Sequence, residues 1–185
     1  MIELKNVVCS YEGKTVLDGL SLSLPETGAV AVTGPSGTGK TTLLRLLAGL
    51  VSPASGGVEG LEGKRVSMVF QEDRLLPWRS ALENVSLFCG NEALARETLR
   101  GLELGDAFEK RPGELSGGMR RRVALARALC FGGDILLLDE PFKGLDDALK
   151  LRVAEAIRGV FPLTVLATHD MDEAQMLRCT ERVEL

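Results

Sequence analysis

Gly34-Pro35-Ser36-Gly37-Thr38-Gly39-Lys40-Thr41-Thr42 carries the spacing G-x-x-x-x-G-K-[ST], the pattern of a phosphate-binding P-loop. Its flanks agree. Gly28-Ala29-Val30-Ala31-Val32-Thr33 before it is a short apolar run, as expected of a buried parallel strand. Thr42 to Ala48 after it is a good helix former, and Gly49 ends it. Strand, glycine loop and helix together make an anion seat. The glycines let the backbone turn and bring N–H groups onto phosphate oxygens, and the helix N-terminus adds a partial charge of roughly half a unit. In such a seat Lys40 supplies a full positive charge to the β- and γ-phosphates of a nucleotide, and the Thr41 hydroxyl is a ligand for Mg²⁺.

The chain has 185 residues, the size of one domain or of a domain with a small lobe. Apolar residues make up 45%, enough for a sizeable core. The 22 basic and 26 acidic residues leave a net charge of −4, which argues against a broad nucleic-acid face, so no nucleic-acid partner is expected. Cys9, Cys89, Cys130 and Cys179 are scattered with no C-x-x-C pair, and there is one His, so no zinc cluster is expected. Met1-Ile2-Glu3-Leu4-Lys5 has no signal-peptide pattern, and no run of about 18 apolar residues occurs. A cytosolic protein with reduced thiols is the expectation.

Taken in order, residues 2–8 read as a strand with Ile2, Leu4 and Val8 on one face, followed by a turn at Glu12-Gly13-Lys14 in which Tyr11 sits. Leu20, Leu22 and Leu24 alternate with Ser21 and Ser23, the pattern of a half-buried antiparallel strand. Ser52 to Gly57 reads as a loop, Val58 to Gly63 as a short strand and turn, and Arg65 to Phe70 as a strand ending at Gln71. Residues 72–115 change character. Helical patterning, charged stretches and Pro112-Gly113 mark them as a helical lobe, with Ala93 to Leu104 one amphipathic helix. Beyond it come a helix over Arg120–Cys130, an apolar strand Ile135–Asp139, a helix over Asp146–Ile157 capped by Asp146, an apolar strand Leu163–Thr168, a helix from Asp170 to Leu177, and an edge strand over Arg182–Leu185. Strands alternating with helices imply an α/β fold: a P-loop NTPase core with a parallel sheet flanked by helices, a small antiparallel β part, and an inserted helical lobe. Residues 1–71 and 116–185 make the core and residues 72–115 the lobe, all in one domain over 1–185.

In parallel sheets ligands bind at the carboxyl ends of the strands. Four polar groups stand at such ends: the P-loop, Gln71, Asp139-Glu140 and His169. At matching positions they describe a single site. Asp139 is suited to hold Mg²⁺, and Glu140 beside it to orient or activate water, the other reading of Glu140 being a cap on the turn before Pro141. The Gln71 amide is placed to bridge metal and water, and His169 to donate to the γ-phosphate or support Glu140. Tyr11 is either an ordinary surface residue or a stacking platform for a base. Ser116-Gly117-Gly118 is a second anion device at a helix N-terminus, and a second phosphate seat on a chain with one P-loop points to the nucleotide of a partner subunit.

The order of these stretches resembles an ABC-type ATPase subunit, the nucleotide-binding cassette of an ABC transporter. The residues that carry the resemblance are Tyr11 as the A-loop aromatic, the Walker A from Gly34, Gln71 of the Q-loop, Leu115-Ser116-Gly117-Gly118-Met119 as the signature, Ile135 to Glu140 as Walker B, Gly144-Leu145-Asp146 as the D-loop, and His169 of the switch. The match covers nearly the whole chain, and the signature is its specific element. Gln71 to Arg79 with Glu83-Asn84-Val85 is similar to the nitrate/sulfonate/taurine importer subfamily. Met119 stands where the signature usually has Gln, and Lys143 where the D-loop often has a small residue. The stretches from Thr41 to Gln71 and after His169 are short, so no C-terminal regulatory domain is expected.

The resemblance implies that two cassettes sandwich two ATP molecules, each between one chain's P-loop and the other's signature, with ATP and Mg²⁺ as cofactors. It implies a second copy or a homologous cassette as partner, an integral-membrane permease, and indirectly a solute-binding protein. The place implied is the inner face of the cell membrane, held peripherally. The solute would be small and anionic or polar. Two other functions fit the residues: a soluble ABC ATPase uncoupled from transport, and a nucleotide-binding module with impaired hydrolysis. Leu75-Leu76-Pro77-Trp78, an apolar run holding the one Trp of the chain, either packs inside the lobe or forms a groove for a permease helix.

Overall fold

Two strand sequences are apolar along nearly their whole length and one alternates, and they end in different sheets. The computed structural model describes residues 1–11 and 13–185. Strand β1 (Ile2–Tyr11) pairs antiparallel with β2 (Lys14–Leu24) and, on its other edge, with β4 (Ser55–Glu59). In β2 the Leu-Ser alternation leaves one face toward solvent, as an antiparallel sheet allows. The second sheet is parallel, in the order β5 (Val66–Val69), β6 (Ile135–Asp139), β7 (Leu163–Ala167), β3 (Gly28–Thr33), β8 (Glu181–Glu184). Every residue of β6 and β7 is buried, because helices cover both faces.

The period-two rule sorts these side chains into two apolar clusters. Ile135, Leu137, Val165 and Ala167 face α1 (Lys40–Leu47) and the antiparallel sheet. Leu136, Leu138 and Leu166 face α4 (Gly117–Phe131) and α5 (Asp147–Ile157). Leu43, Leu44, Leu46 and Leu47 of α1 are all buried, each worth about 1.5–3 kcal/mol against exposure. Helices α2 (Ala81–Cys89) and α3 (Glu92–Gly101) pack on α4 and share its cluster through Val85, Ala95 and Leu99. Helix α6 (Met171–Met176) follows β7. Ser80 caps α2 in a capping box with Glu83, and Asp146 caps α5 as the sequence predicts.

Three local expectations are corrected. The strand over residues 2–8 runs on to Tyr11, and its buried residues are Ile2, Leu4, Val7 and Cys9 rather than Val8. Asn6 adopts φ 49° where the register with β2 slips, and that extra residue turns the following side chains over. Tyr11 therefore ends the strand, paired with Lys14, instead of lying in the turn, whose Glu12 is outside the described residues. Ser55-Gly56-Gly57 is not loop but the start of β4. A Cβ at Gly56, which has φ 78°, would run into the backbone of Lys5 and Asn6, so the glycine permits this close approach.

Candidate functional site

The parallel register aligns the strand ends. Val32 pairs with Ala167, and Ala167 with Asp139, so the residues that follow β3, β6 and β7 emerge at one edge of the sheet, with Gln71 just beyond β5. The loop between β3 and α1 wraps back so that the Lys40 ammonium donates to the carbonyls of Gly34 and Pro35, 2.7 Å each. Gly39 has φ 104°, and a Cβ there would stand 2.6 Å from Leu17 and 3.2 Å from the Val16 carbonyl of β2. Glycine is thus required both for the turn and for the fit against the antiparallel sheet. No side chain caps α1 and its first turn holds no acidic residue, so the N–H groups of that turn face the loop as an anion seat.

Thr41 Oγ1 donates to Asp139 Oδ2 at 2.9 Å, joining the loop to the end of β6. Asp139 is 3% exposed. Burial pushes its carboxyl up from the ordinary value, the Thr41 hydroxyl pulls it down, and the neighbouring Glu140 pushes it up again. A buried carboxylate with a second one beside it and a hydroxyl in reach is a hard-oxygen set short of positive charge, which suits a small divalent cation. Glu140 takes φ 47° and donates its backbone N–H to the Ala167 carbonyl at 3.0 Å, a turn that swings its side chain off the strand line. Three groups converge on that carboxylate: Gln71 Nε2 at 3.5 Å, His169 Nδ1 at 3.5 Å and Lys143 Nζ at 3.9 Å. Gln71 and His169 are thus brought to the Glu140 carboxylate.

Ser116 lies elsewhere. It caps α4 by accepting from Met119 N at 3.2 Å, and with Gly117, Gly118, Lys143 and Asp146 it lines a cavity of about 620 Å³. That cavity includes Gln71 but no residue of the 34–42 loop. A Cβ on Gly118 would press at 3.2 Å on both the Gly144 carbonyl and Leu145. The glycine lets α4 lie against the loop after β6.

A family model described as ABC transporter matches residues 17–143. The chain belongs to the ABC transporter family. It is the ATP-binding and ATP-hydrolysing cassette of such a transporter. An aliphatic sulfonates import ATP-binding protein of Streptomyces avermitilis is 44% identical over 183 residues, 95% of this chain and 73% of that protein. One from Rhodococcus jostii is 44% identical over 185 residues, 95% of this chain and 76% of its own length. Among solved structures, the dimeric post-hydrolysis state of the ATP-binding cassette MJ0796 bound to ADP and Pi superposes with a TM-score of 0.88 at 29% identity, covering 95% of this chain and 91% of that one.

In this ABC cassette two groups escaped sequence reasoning. Arg121 sits in a run of three arginines to which the sequence reading gives no role, and it is 3% exposed. Its spacing from Leu125 and Ala128, four and seven residues on, puts it on the apolar stripe of α4, and that spacing was the available signal. The second group braces the loop carrying His169. Thr168 Oγ1 donates to Glu173 at 2.6 Å, and Lys150 of α5 donates to Glu173 at 3.1 Å and Asp170 at 3.4 Å. The pattern T-H-D with Glu five residues after Thr168 carried no local warning that Glu173 would be buried.

Tyr11 is 39% exposed at the end of β1, in the hairpin whose β2 supplies Val16 and Leu17 behind Gly39. If its ring is the adenine platform, Tyr11→Ala weakens ATP binding several-fold, a loss on the order of 1 kcal/mol, while Tyr11→Phe leaves it unchanged. Titration with a fluorescent ATP analogue measures this, and equal affinities for Tyr11→Ala and wild type return Tyr11 to the surface reading.

Proposed function

We propose that this cassette powers the import of a small organic anion of the sulfonate class, working as a pair of copies against a membrane permease on the cytoplasmic face. The observation that carries the paired arrangement is the separation of the two anion seats: the Lys40 loop and the Ser116 cavity share no loop residue. Each nucleotide then lies between one chain's P-loop and the other's Ser116, Gly117 and Gly118. The solute class and the direction follow the sulfonate-import relatives, and a solute-binding protein outside the membrane completes the system. Thr41 and Asp139 hold Mg²⁺, which when bound neutralises charge on the phosphates. Glu140 takes a proton from water, Gln71 and His169 orient its carboxylate, and Lys40 with the α1 N-terminus holds the phosphates. Reconstitution with the neighbouring permease in vesicles tests the whole: ATP-dependent uptake of an aliphatic sulfonate is expected, and efflux or no movement overturns it.

For the permease seat we favour a surface other than the 75–78 run, which by sequence either packs inside the lobe or forms the groove. Leu75 is packed against the core, and Trp78 is 65% exposed. Instead Leu50, Met68, Phe70, Phe88 and Phe131 line a groove of about 430 Å³ that begins one residue before Gln71. Arg74 stacks over Phe70 at 3.9 Å and Arg127 over Phe88 at 5.3 Å, leaving a cationic rim suited to an apolar helix with an acidic side chain. Leu50→Glu, at the open rim, therefore folds like wild type by circular dichroism and fails to co-purify with the permease. Trp78→Ala retains the permease, and the reverse pattern would restore the 75–78 seat.

A further inference from the structure

The buried guanidinium of Arg121 meets one carboxylate, that of Asp73, but most of its donors go to backbone carbonyls. Nη1 donates to the carbonyls of Phe70 and, at 3.4 Å, Gln71. Nη2 donates to the carbonyl of Asp139 and, at 2.8 Å, that of Glu140, while Nε donates to the Pro141 carbonyl at 3.2 Å. The Asp73 carboxylate stands 3.5 Å away at the edge. These carbonyls belong to two segments that leave neighbouring strands, β5 and β6, where ladder bonding stops and backbone oxygens would otherwise be buried without donors. A planar five-donor fork satisfies them together, which a point-like ammonium cannot do. Arg127, six residues along α4, extends the tie by donating to the carbonyls of Asp73 at 3.0 Å and Arg74 at 2.8 Å. The other end of the same helix is Ser116.

We infer that Arg121 is a positioning residue for hydrolysis: it fixes the backbone from which Gln71 and Glu140 project and ties both to α4, the helix that Ser116 caps. This rests on the reading of Glu140 and Gln71 as the hydrolytic pair. Through it, contact of Ser116 with the partner's nucleotide is felt at the carboxylate of its own chain, and displacement of the segment after Phe70 by a docked partner is felt there too. Charge alone is insufficient for this role, because the carbonyls of both segments must be held in one plane.

The test compares full-length Arg121→Lys and Arg121→Gln with wild type and Glu140→Gln, by steady-state ATPase, mant-ATP binding and thermal unfolding. Arg121→Lys keeps the charge and loses the fork. A kcat lower by roughly tenfold or more is expected, with KM and mant-ATP affinity within about twofold, since small misplacements of reacting groups cost rate more than binding. A folded Arg121→Lys chain with wild-type kcat overturns the proposal, as does a loss of mant-ATP affinity as large as the loss of kcat. Normal Arg121→Lys turnover beside an inactive Glu140→Gln removes this proposal alone. A Glu140→Gln chain that turns over normally removes the site reading and this inference with it. Should neither Arg121 variant fold, amide exchange on the wild-type chain decides: residues 70–74, 140–143 and the first turn of α4 slow together on binding a non-hydrolysable ATP analogue, and independent responses overturn the tie.

Discussion

Glu140→Gln binds ATP as the wild-type chain does and hydrolyses it about 10²-fold or more slowly, the usual scale for losing a positioned acid–base group. The substitution keeps the side-chain volume and makes no new demand on the φ of 47° that residue 140 already adopts. It keeps the backbone bond to Ala167 and the guanidinium contact from Arg121. What it removes is the negative charge on which Gln71, His169 and Lys143 converge. It leaves in place Asp139 and the Thr41 hydroxyl that donates to it, the pair that would hold a metal. With turnover blocked, ATP holds two chains together, and light scattering reads a dimer that appears with ATP and not with ADP. Hydrolysis at the wild-type rate would sink the assignment of Glu140.

Two inactive chains recover activity when mixed, provided one carries Lys40→Ala and the other Ser116→Asp. Lys40→Ala removes the ammonium anchored between Gly34 and Pro35, and with it the full charge at the phosphates. Ser116→Asp keeps a good cap on α4 but sets a negative charge where a γ-phosphate should lie, so the helix stays formed while the seat repels its ligand. Each change alone should cost about 10²-fold or more, the scale of removing a preorganised donor from a developing charge. In a mixed dimer one composite site bears both defects and the other bears neither, because loop and cavity come from different chains. Steady-state ATPase of the mixture exceeds that of either variant alone. Absence of recovery in dimers shown to be mixed would place Ser116 on its own chain's nucleotide, which the separation of the loop from the 620 Å³ cavity argues against.

Short-range rules settled a definite part of this protein. The nine residues from Gly34 to Thr42 specify their own loop, because the glycines permit positive φ and Lys40 and Thr41 follow at a fixed offset on the helix start. The apolar runs Ile135–Leu138 and Leu163–Ala167 could only be covered on both sides, since no alternation offers water a face. Asp139 and His169 were readable as strand-end groups for the same reason: each ends an apolar run. The Ser116 cap and the Asp146 cap follow from hydroxyl and carboxylate chemistry at helix starts.

Other features depend on partners far away in the chain, and no window of sequence contains them. Val8 was placed inward by simple alternation, but pairing with β2 and β4 at once forces a left-handed residue at Asn6, and that turns Val7 and Cys9 to the core. Ser55 to Gly57 look like loop until β1 approaches closely enough to need a residue without a side chain at Gly56. Half-buried Lys150 and buried Glu173 become a pair only when α5 and α6 pack side by side. Arg121 is the clearest case. A helical arginine faces water unless something inside requires donors, and that requirement arises from the ends of β5 and β6, fifty residues before it and about twenty after. Local propensity and periodicity determined the strands, the loop and the caps of this cassette; which charged side chains turned inward was decided by the carbonyls that the assembled sheet left without partners.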